Sequence, residues 1–237
     1  MNWQKWQARA GINSMPKLFG SCVAALQGYP EAVTFPSGEI AALLVAVSFA
    51  AGLNVYATVA TLGLMAEFKL VPLPGQLHLL QNWWIIGVSG ALFVVEFFAD
   101  KIPAFDLIWN AAHTFIRVPV AALLAFAATS HLSPEKQLAA TVVGGLIAFA
   151  AHGGKTAVRT AVTPSPEPFS NMTLSFSEDA LAIFLTWFAT KHPYWAAAIA
   201  IVFLVIIVFL IRWIVRAMKG LFRGGVPVNS RRSLHVR

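Results

Sequence analysis

The chain has 237 residues, of which 58% are hydrophobic and only 11% are charged, with a mean hydropathy of +0.70. A soluble domain carries about 25% charged residues, so a non-aqueous solvent must surround most of this chain. Its long apolar blocks exclude a soluble enzyme, a secreted disulfide scaffold and a disordered tail. The formal net charge of +7 is carried by the cations from Arg212 onward (Arg212, Arg216, Lys219, Arg223, Arg231, Arg232 and Arg237), and the rest of the chain is neutral. A basic tail after an apolar helix predicts a cytoplasmic end that anionic headgroups hold at the membrane surface. No aromatic or glycine pattern accompanies these arginines, which argues against nucleic acid as a partner. The single Cys22 excludes an intramolecular disulfide and supplies no metal motif.

In chain order, residues 1–37 mix Trp3, Lys5, Trp6, Arg9 and Lys17 and read as an interfacial or flexible segment with no cleavable signal. Six apolar segments follow, at about 39–66, 83–99, 107–129, 138–162, 176–190 and 194–217. They predict an all-α polytopic bundle occupying residues 38–217, followed by a basic cytoplasmic tail at 218–237. A helix needs about 20 residues to cross the hydrocarbon core, so the second and fifth segments are short and the first and fourth are long. Six crossings place both termini on one side, and the N-terminal cations together with the basic tail make that side cytoplasmic. The residues from Thr163 to Asn171 (TPSPEPFSN) carry three prolines and predict a stiff extended loop. Trp83, Trp84, Trp109, Trp195 and Trp213 lie near segment ends, where interfacial aromatic belts are expected.

The chain also resembles itself. Phe98-Ala99-Asp100-Lys101-Ile102-Pro103 shares F-A-x-K-x-P with Phe188-Ala189-Thr190-Lys191-His192-Pro193, and Phe49-Ala50-Ala51 matches Phe149-Ala150-Ala151. Two halves, at about 38–130 and 134–217, would each hold three crossings. An odd number turns the second copy upside down, giving a 3+3 inverted repeat of the kind found in secondary transporters.

Polar residues inside the apolar segments are the functional candidates, because charge inside a bilayer is expensive. Asp106, Asn110, His113, Thr114 and Arg117 share one helix face of the third segment, and His152, Lys155, Thr156 and Arg159 share one face of the fourth. Gly153-Gly154 weakens the fourth segment, and Gly52-Leu53-Asn54 is its counterpart in the first. Paired glycine-interrupted spans point to a midplane binding site. Arg117, Lys155 and Arg159, with His113, His152 and Asn54, would form a cationic substrate site for an anion. In the plainer reading, Glu96, Asp100, Asp106, Glu178 and Asp179 neutralise these cations as structural pairs. Glu96, with Asp106 or Glu178, is the candidate for a coupling proton. Asp179 reads instead as a first-turn acid beside a Ser175 or Ser177 cap.

The strings EFFADKIPAFDLIWNAAHTFIR (96–117), AHGGKTAVR (151–159), TPSPEPFSN (163–171) and SFSED (175–179) resemble the bacterial membrane-protein family filed as domain of unknown function 4126, over about residues 39–190. The family's usual signature places a proline directly after the arginine of HTFIR, whereas here Val118 precedes Pro119. The resemblance implies a polytopic protein of a bacterial inner membrane and supplies no activity.

The leading expectation is a small secondary carrier or flippase for an anionic substrate, a phosphorylated lipid or an organic anion, with proton coupling as an option and with no cofactor and no metal. No G-x-x-x-x-G-K-[ST] string is present, since Phe149 stands where the first glycine is required, so direct ATP drive is not expected. One alternative is a membrane enzyme acting on a lipid phosphate through His113 or His152. Another is a non-catalytic subunit of a homo-oligomer or a larger membrane complex, with Gly87, Gly90 and Gly144-Gly145 as helix contacts.

Overall fold

A computed structural model of the chain describes residues 36–100, 103–162 and 168–223. These residues form seven α-helices and one 3-10 helix, with no strand among them. Asn54 alone separates α1 (Ser37–Leu53) from α2 (Val55–Glu67), and a 3-10 helix (Gly75–Gln81) leads into α3 (Trp83–Ala99). Then come α4 (Pro103–Ala128), α5 (Pro134–Val162), α6 (Pro168–Lys191) and α7 (Pro193–Arg223). Each of the last four opens on proline, whose fixed φ suits a first helical turn and whose missing N–H would go unused there. That lets connections shrink, to the single residue His192 between α6 and α7.

Several boundaries differ from the sequence reading. The fifth apolar segment is not short: α6 starts at Pro168, and its first turns carry Ser170, Asn171, Thr173 and Ser175, which conceal it from an apolar count. Of the proline-rich stretch, 163–167 lies outside the described residues and the remainder is already helical. The last segment runs on to Arg223, so the basic tail begins as helix. The N-terminal segment up to residue 35 lies outside the described residues. Among the described residues, Pro134–Arg159 and Pro193–Trp213 are long and apolar enough to cross a membrane. The 3-10 helix and α3, bent by 74°, make a third if taken as one span.

The centre of the bundle is α1, which packs against α4, α5, α6 and α7. Ala46, Phe49, Ala50, Ala51 and Leu53 are all buried, so α1 is apolar on every side, as a helix enclosed by others must be. Close approach to α5 depends on Gly52, where a Cβ would lie 2.5 Å from the Ala148 carbonyl oxygen and 2.7 Å from the Ala151 Cβ.

Contacts along the helices show that α1 and α2 turn back on each other. Gly38 lies against Tyr194 and Phe49 stacks on Phe203 at 5.9 Å, so α1 runs alongside α7 in the same direction. Asn54 meets Asp179 and Thr58 meets Thr186, so α2 runs alongside α6 in the same direction. The pair α6 and α7 is antiparallel, because Lys155 contacts Glu178 on one while neighbouring Gly154 abuts Ile207 on the other. At the far end Lys191 donates to the Leu70 carbonyl at 3.0 Å. Gly38 and Leu70 therefore gather at the α6–α7 turn, and Asn54 is the tip of a helical hairpin, about 20 Å along α7 from that turn.

This arrangement overturns the six alternating crossings, since residues 39–66 are not one straight span. It also removes the basis for placing both termini on one side: Pro36 lies near the start of α7, whose other end is Arg223. Nor do the Phe49-Ala50-Ala51 and Phe149-Ala150-Ala151 strings mark inverted copies. Ser48 lies against Gly144 and Gly52 against Ala148, so these helices are parallel, where inversion requires antiparallel. Only the first glycine-bearing segment is interrupted, as α5 continues through Gly153 and Gly154.

With Cys22 replaced by serine, cysteines introduced at Ser37 and Leu70 are expected to react with an impermeant thiol reagent from the same side of the membrane, and one at Lys219 from the opposite side. A straight crossing by residues 39–66 would separate Ser37 from Leu70. Gly52→Val is expected to lower stability by about 1–3 kcal/mol through overpacking against α5. Gly153→Ala, whose added Cβ meets nothing within 4 Å, should leave thermal stability unchanged or raise it by about 0.5–1 kcal/mol.

Candidate functional site

At the hairpin tip the backbone of Asn54 is extended, at φ −149° and ψ 103°, and ends one helix while opening the next. Its side-chain oxygen accepts from the Ala57 N–H at 2.9 Å, an ordinary N-cap, while its amide nitrogen donates to Asp179 Oδ1 at 2.8 Å. Thr58 Oγ1 and the Thr58 N–H both donate to the Asn54 carbonyl. The break frees the Leu53 carbonyl from α-helical bonding, and Lys155 Nζ donates to it at 3.3 Å. Irregular backbone inside an apolar bundle is tolerated only where such partners replace the lost ladder.

Lys155 is the hub of a buried ion network. Its ammonium lies 3.0 Å from Asp100 Oδ2, 3.3 Å from Glu178 Oε2 and 3.8 Å from Glu96 Oε1. One turn further along α5, Arg159 donates to Glu178 Oε2 through Nε at 3.0 Å and Nη2 at 2.6 Å, and to Asp100 Oδ2 at 2.8 Å. From α4, Arg117 is ion-paired with Glu96, both wholly buried. Its Nη1 meets His152 Nδ1 at 2.7 Å, and because a guanidinium only donates, that nitrogen accepts. The other ring nitrogen, Nε2, then carries the proton and faces Thr114 Oγ1 at 2.8 Å.

The structure thus brings together Arg117, Lys155, Arg159, His152, Asn54, Glu96 and Glu178, seven of the nine residues singled out from the sequence. His113 stands one layer away, 3.1 Å from the Tyr56 hydroxyl and edge-on to its ring. The side chain of Asp106 lies outside those described. The cations do converge, as the helix-face spacing predicted, but carboxylates already occupy them, so the anionic pocket expected from sequence is filled from within the protein. Asp100, noted only as a possible neutralising acid, holds two of the three cations.

Asp179 is the residue that sequence reasoning misplaced. Because α6 begins at Pro168, Asp179 lies in mid-helix and is buried, and neither Ser175 nor Ser177 is a cap. The spacing of Ser175 and Asp179, one turn apart in a segment opened by proline, was the available signal. A pocket of about 260 Å³ lies elsewhere, beside the 3-10 helix; its wall includes Val59, Leu77, Leu80, Val120 and Leu124 and is almost wholly apolar. Among the described residues, no group of three or more His, Cys, Asp or Glu side chains has the arrangement of a metal site.

The family model for Domain of unknown function (DUF4126) matches residues 41–213, from the start of α1 to the apolar end of α7. The chain belongs to this family. That range contains the hairpin and every residue of the network, so the whole candidate site is family territory, whereas the basic residues beyond Trp213 are not. No curated protein and no solved structure matches the chain.

Asn54→Leu is expected to cost roughly 2–4 kcal/mol, from the lost cap and from leaving a buried carboxylate without its donor. Thermal unfolding of the purified protein in detergent measures this, and an unchanged midpoint would contradict the role given to Asn54.

Proposed function

We propose that this member of the family is a small membrane carrier for an anionic substrate, a phosphorylated lipid or an organic anion, and that the ion network is its closed centre. The observation that carries the reading is the contact between Arg159 and Glu178. Two guanidinium nitrogens converge on one carboxylate oxygen at the network's least buried edge, where the Glu178 side chain is 9% exposed and those of Glu96 and Asp100 are 0%. Glu178 sits where a substrate carboxylate or phosphate oxygen would bind, since guanidinium forks match both. Exchange would begin there, with the substrate displacing Glu178 and Lys155 accommodating the added charge.

In this reading the bundle lies in a bacterial inner membrane, α1 and α2 form a re-entrant hairpin, and the basic end of α7 faces the cytoplasm. The enzymatic alternative finds no support at His152, because Arg117 occupies the nitrogen that a general base would need free. A packing subunit is favoured by the compensation of all three cations, and the following test separates it from a carrier.

Thermal stabilisation of the purified protein by a panel of phosphorylated lipids and organic anions is the measurement. Wild type should be stabilised by at least one class, Arg159→Gln should abolish the effect, and Glu178→Gln should tighten binding about tenfold by removing the internal competitor. Stabilisation that survives Arg159→Gln, or that weakens in Glu178→Gln, would contradict the carrier.

A further inference from the structure

Among the described residues the network is one positive charge short. Arg117, Lys155 and Arg159 face Glu96, Asp100, Glu178 and Asp179. His152 accepts from Arg117 at Nδ1 and so adds no charge, and His113 faces the Tyr56 hydroxyl. Three of the four acids contact a cation directly. Asp179 is the exception: among the described residues its one hydrogen-bond partner is the neutral Asn54 amide.

Among the described residues, two buried oxygen atoms without hydrogen-bond partners lie on the same face of α6. They are Asp179 Oδ2 and, one turn earlier, Ser175 Oγ, on residues that are 3% and 0% exposed. Side chains four residues apart on a helix have Cβ atoms about 5–6 Å apart, a separation that one small ion bridges. Buried oxygens left unsatisfied are costly and uncommon, and a buried carboxylate without a counter-charge is costlier still. The tip of a broken helix is also where carriers bind their coupling ions.

We propose that Asp179 Oδ2 and Ser175 Oγ form the binding site of a monovalent cation, H+ or Na+, that supplies the missing charge. As the coupling ion of a carrier it rests on the reading above; as a binding site it does not. Asn54 bonds to Asp179 from the hairpin tip, and the charged groups that act on it from the packed helices are Lys155 on α5 and Asp100 and Glu96 at the end of α3; the other titratable side chains of the network and the layer beside it are Tyr56 on α2 and His152 and Arg159 on α5. On α6 itself Glu178 is adjacent, and α7 presents no titratable side chain over residues 195–211. Occupancy neutralises Asp179 and leaves Lys155 to Asp100 and Glu178. When the cation leaves, the ionised Asp179 competes for Lys155, loosening both the Glu178 contact and the Lys155 bond to the Leu53 carbonyl. The coupling role expected for Glu96, with Asp106 or Glu178, thereby passes to Asp179, because Glu96 and Glu178 each already contact a guanidinium.

The test is thermal unfolding of the full-length protein in detergent, with NaCl exchanged for choline chloride at constant ionic strength and with pH varied in choline alone. A Na+ site predicts a wild-type midpoint that rises with Na+; a proton site predicts no Na+ response and a midpoint that falls as pH rises, since only the folded state holds the proton. In either case Asp179→Asn should abolish the response. Ser175→Ala keeps the carboxylate and should shift the responsive concentration by about tenfold, while Ser177→Ala, on the exposed face, should match wild type. The site is overturned if wild type responds to neither cation, or if Asp179→Asn responds as wild type does. If Asp179→Asn does not fold, an unshifted Ser175→Ala response overturns it. None of these readouts involves anion binding, so a failure here is distinguishable from failure of the carrier reading.

Discussion

Charge buried in an apolar bundle must be compensated by other charge, and that requirement organises the middle of this protein. Lys155 shows how tightly. Its ammonium is shared among three carboxylates and the Leu53 carbonyl, so one side chain ties α5 to α3, to α6 and to the hairpin tip. Removing a single member leaves its buried partners short of counter-charge, which is more costly than never having placed the charges there. The same balance makes the network suited to change state: a small shift in charge at one residue alters which acid holds Lys155.

The hairpin explains how the polar centre is reached without a polar span. Two apolar half-helices meet at one extended residue, and Asn54 satisfies the break from both directions by capping α2 and holding Asp179. A continuous helix through this point would have no free carbonyl for Lys155 and would carry Leu70 away from Lys191. Gly52 allows the tip to sit close against α5, so the approach of backbone to backbone and the formation of the network are one packing event.

The cationic side of the site was legible in the sequence because helical periodicity alone places His113, Thr114 and Arg117 on one stripe and His152, Lys155 and Arg159 on another. Which acids would answer them was not, since Glu96 and Asp100 come from the end of α3 and Glu178 from α6, and only packing decides their partners. The hairpin was hidden for a simpler reason. Residues 40–66 are apolar throughout apart from Ser48, Asn54, the Tyr56 hydroxyl and two threonines, and a reversal at one asparagine leaves hydropathy unchanged. Asp179 was misplaced because the start of α6 is polar, which moved the apparent helix boundary and made a mid-helix acid look like a first-turn one. The family resemblance was recognisable from charges in apolar segments together with proline and glycine positions, and Glu96, Asp100, Arg117, Lys155, Arg159, Glu178 and Asp179 of those strings meet in or beside the network.

The most direct measurement of the central claim is a double-mutant cycle on the wholly buried pair, comparing Glu96→Leu, Arg117→Met and the double variant by reversible unfolding in detergent. If compensation holds the centre together, each single change costs about 3–5 kcal/mol and the double change costs much less than their sum. Additive losses would mean that the two charges do not depend on each other, and would contradict the account.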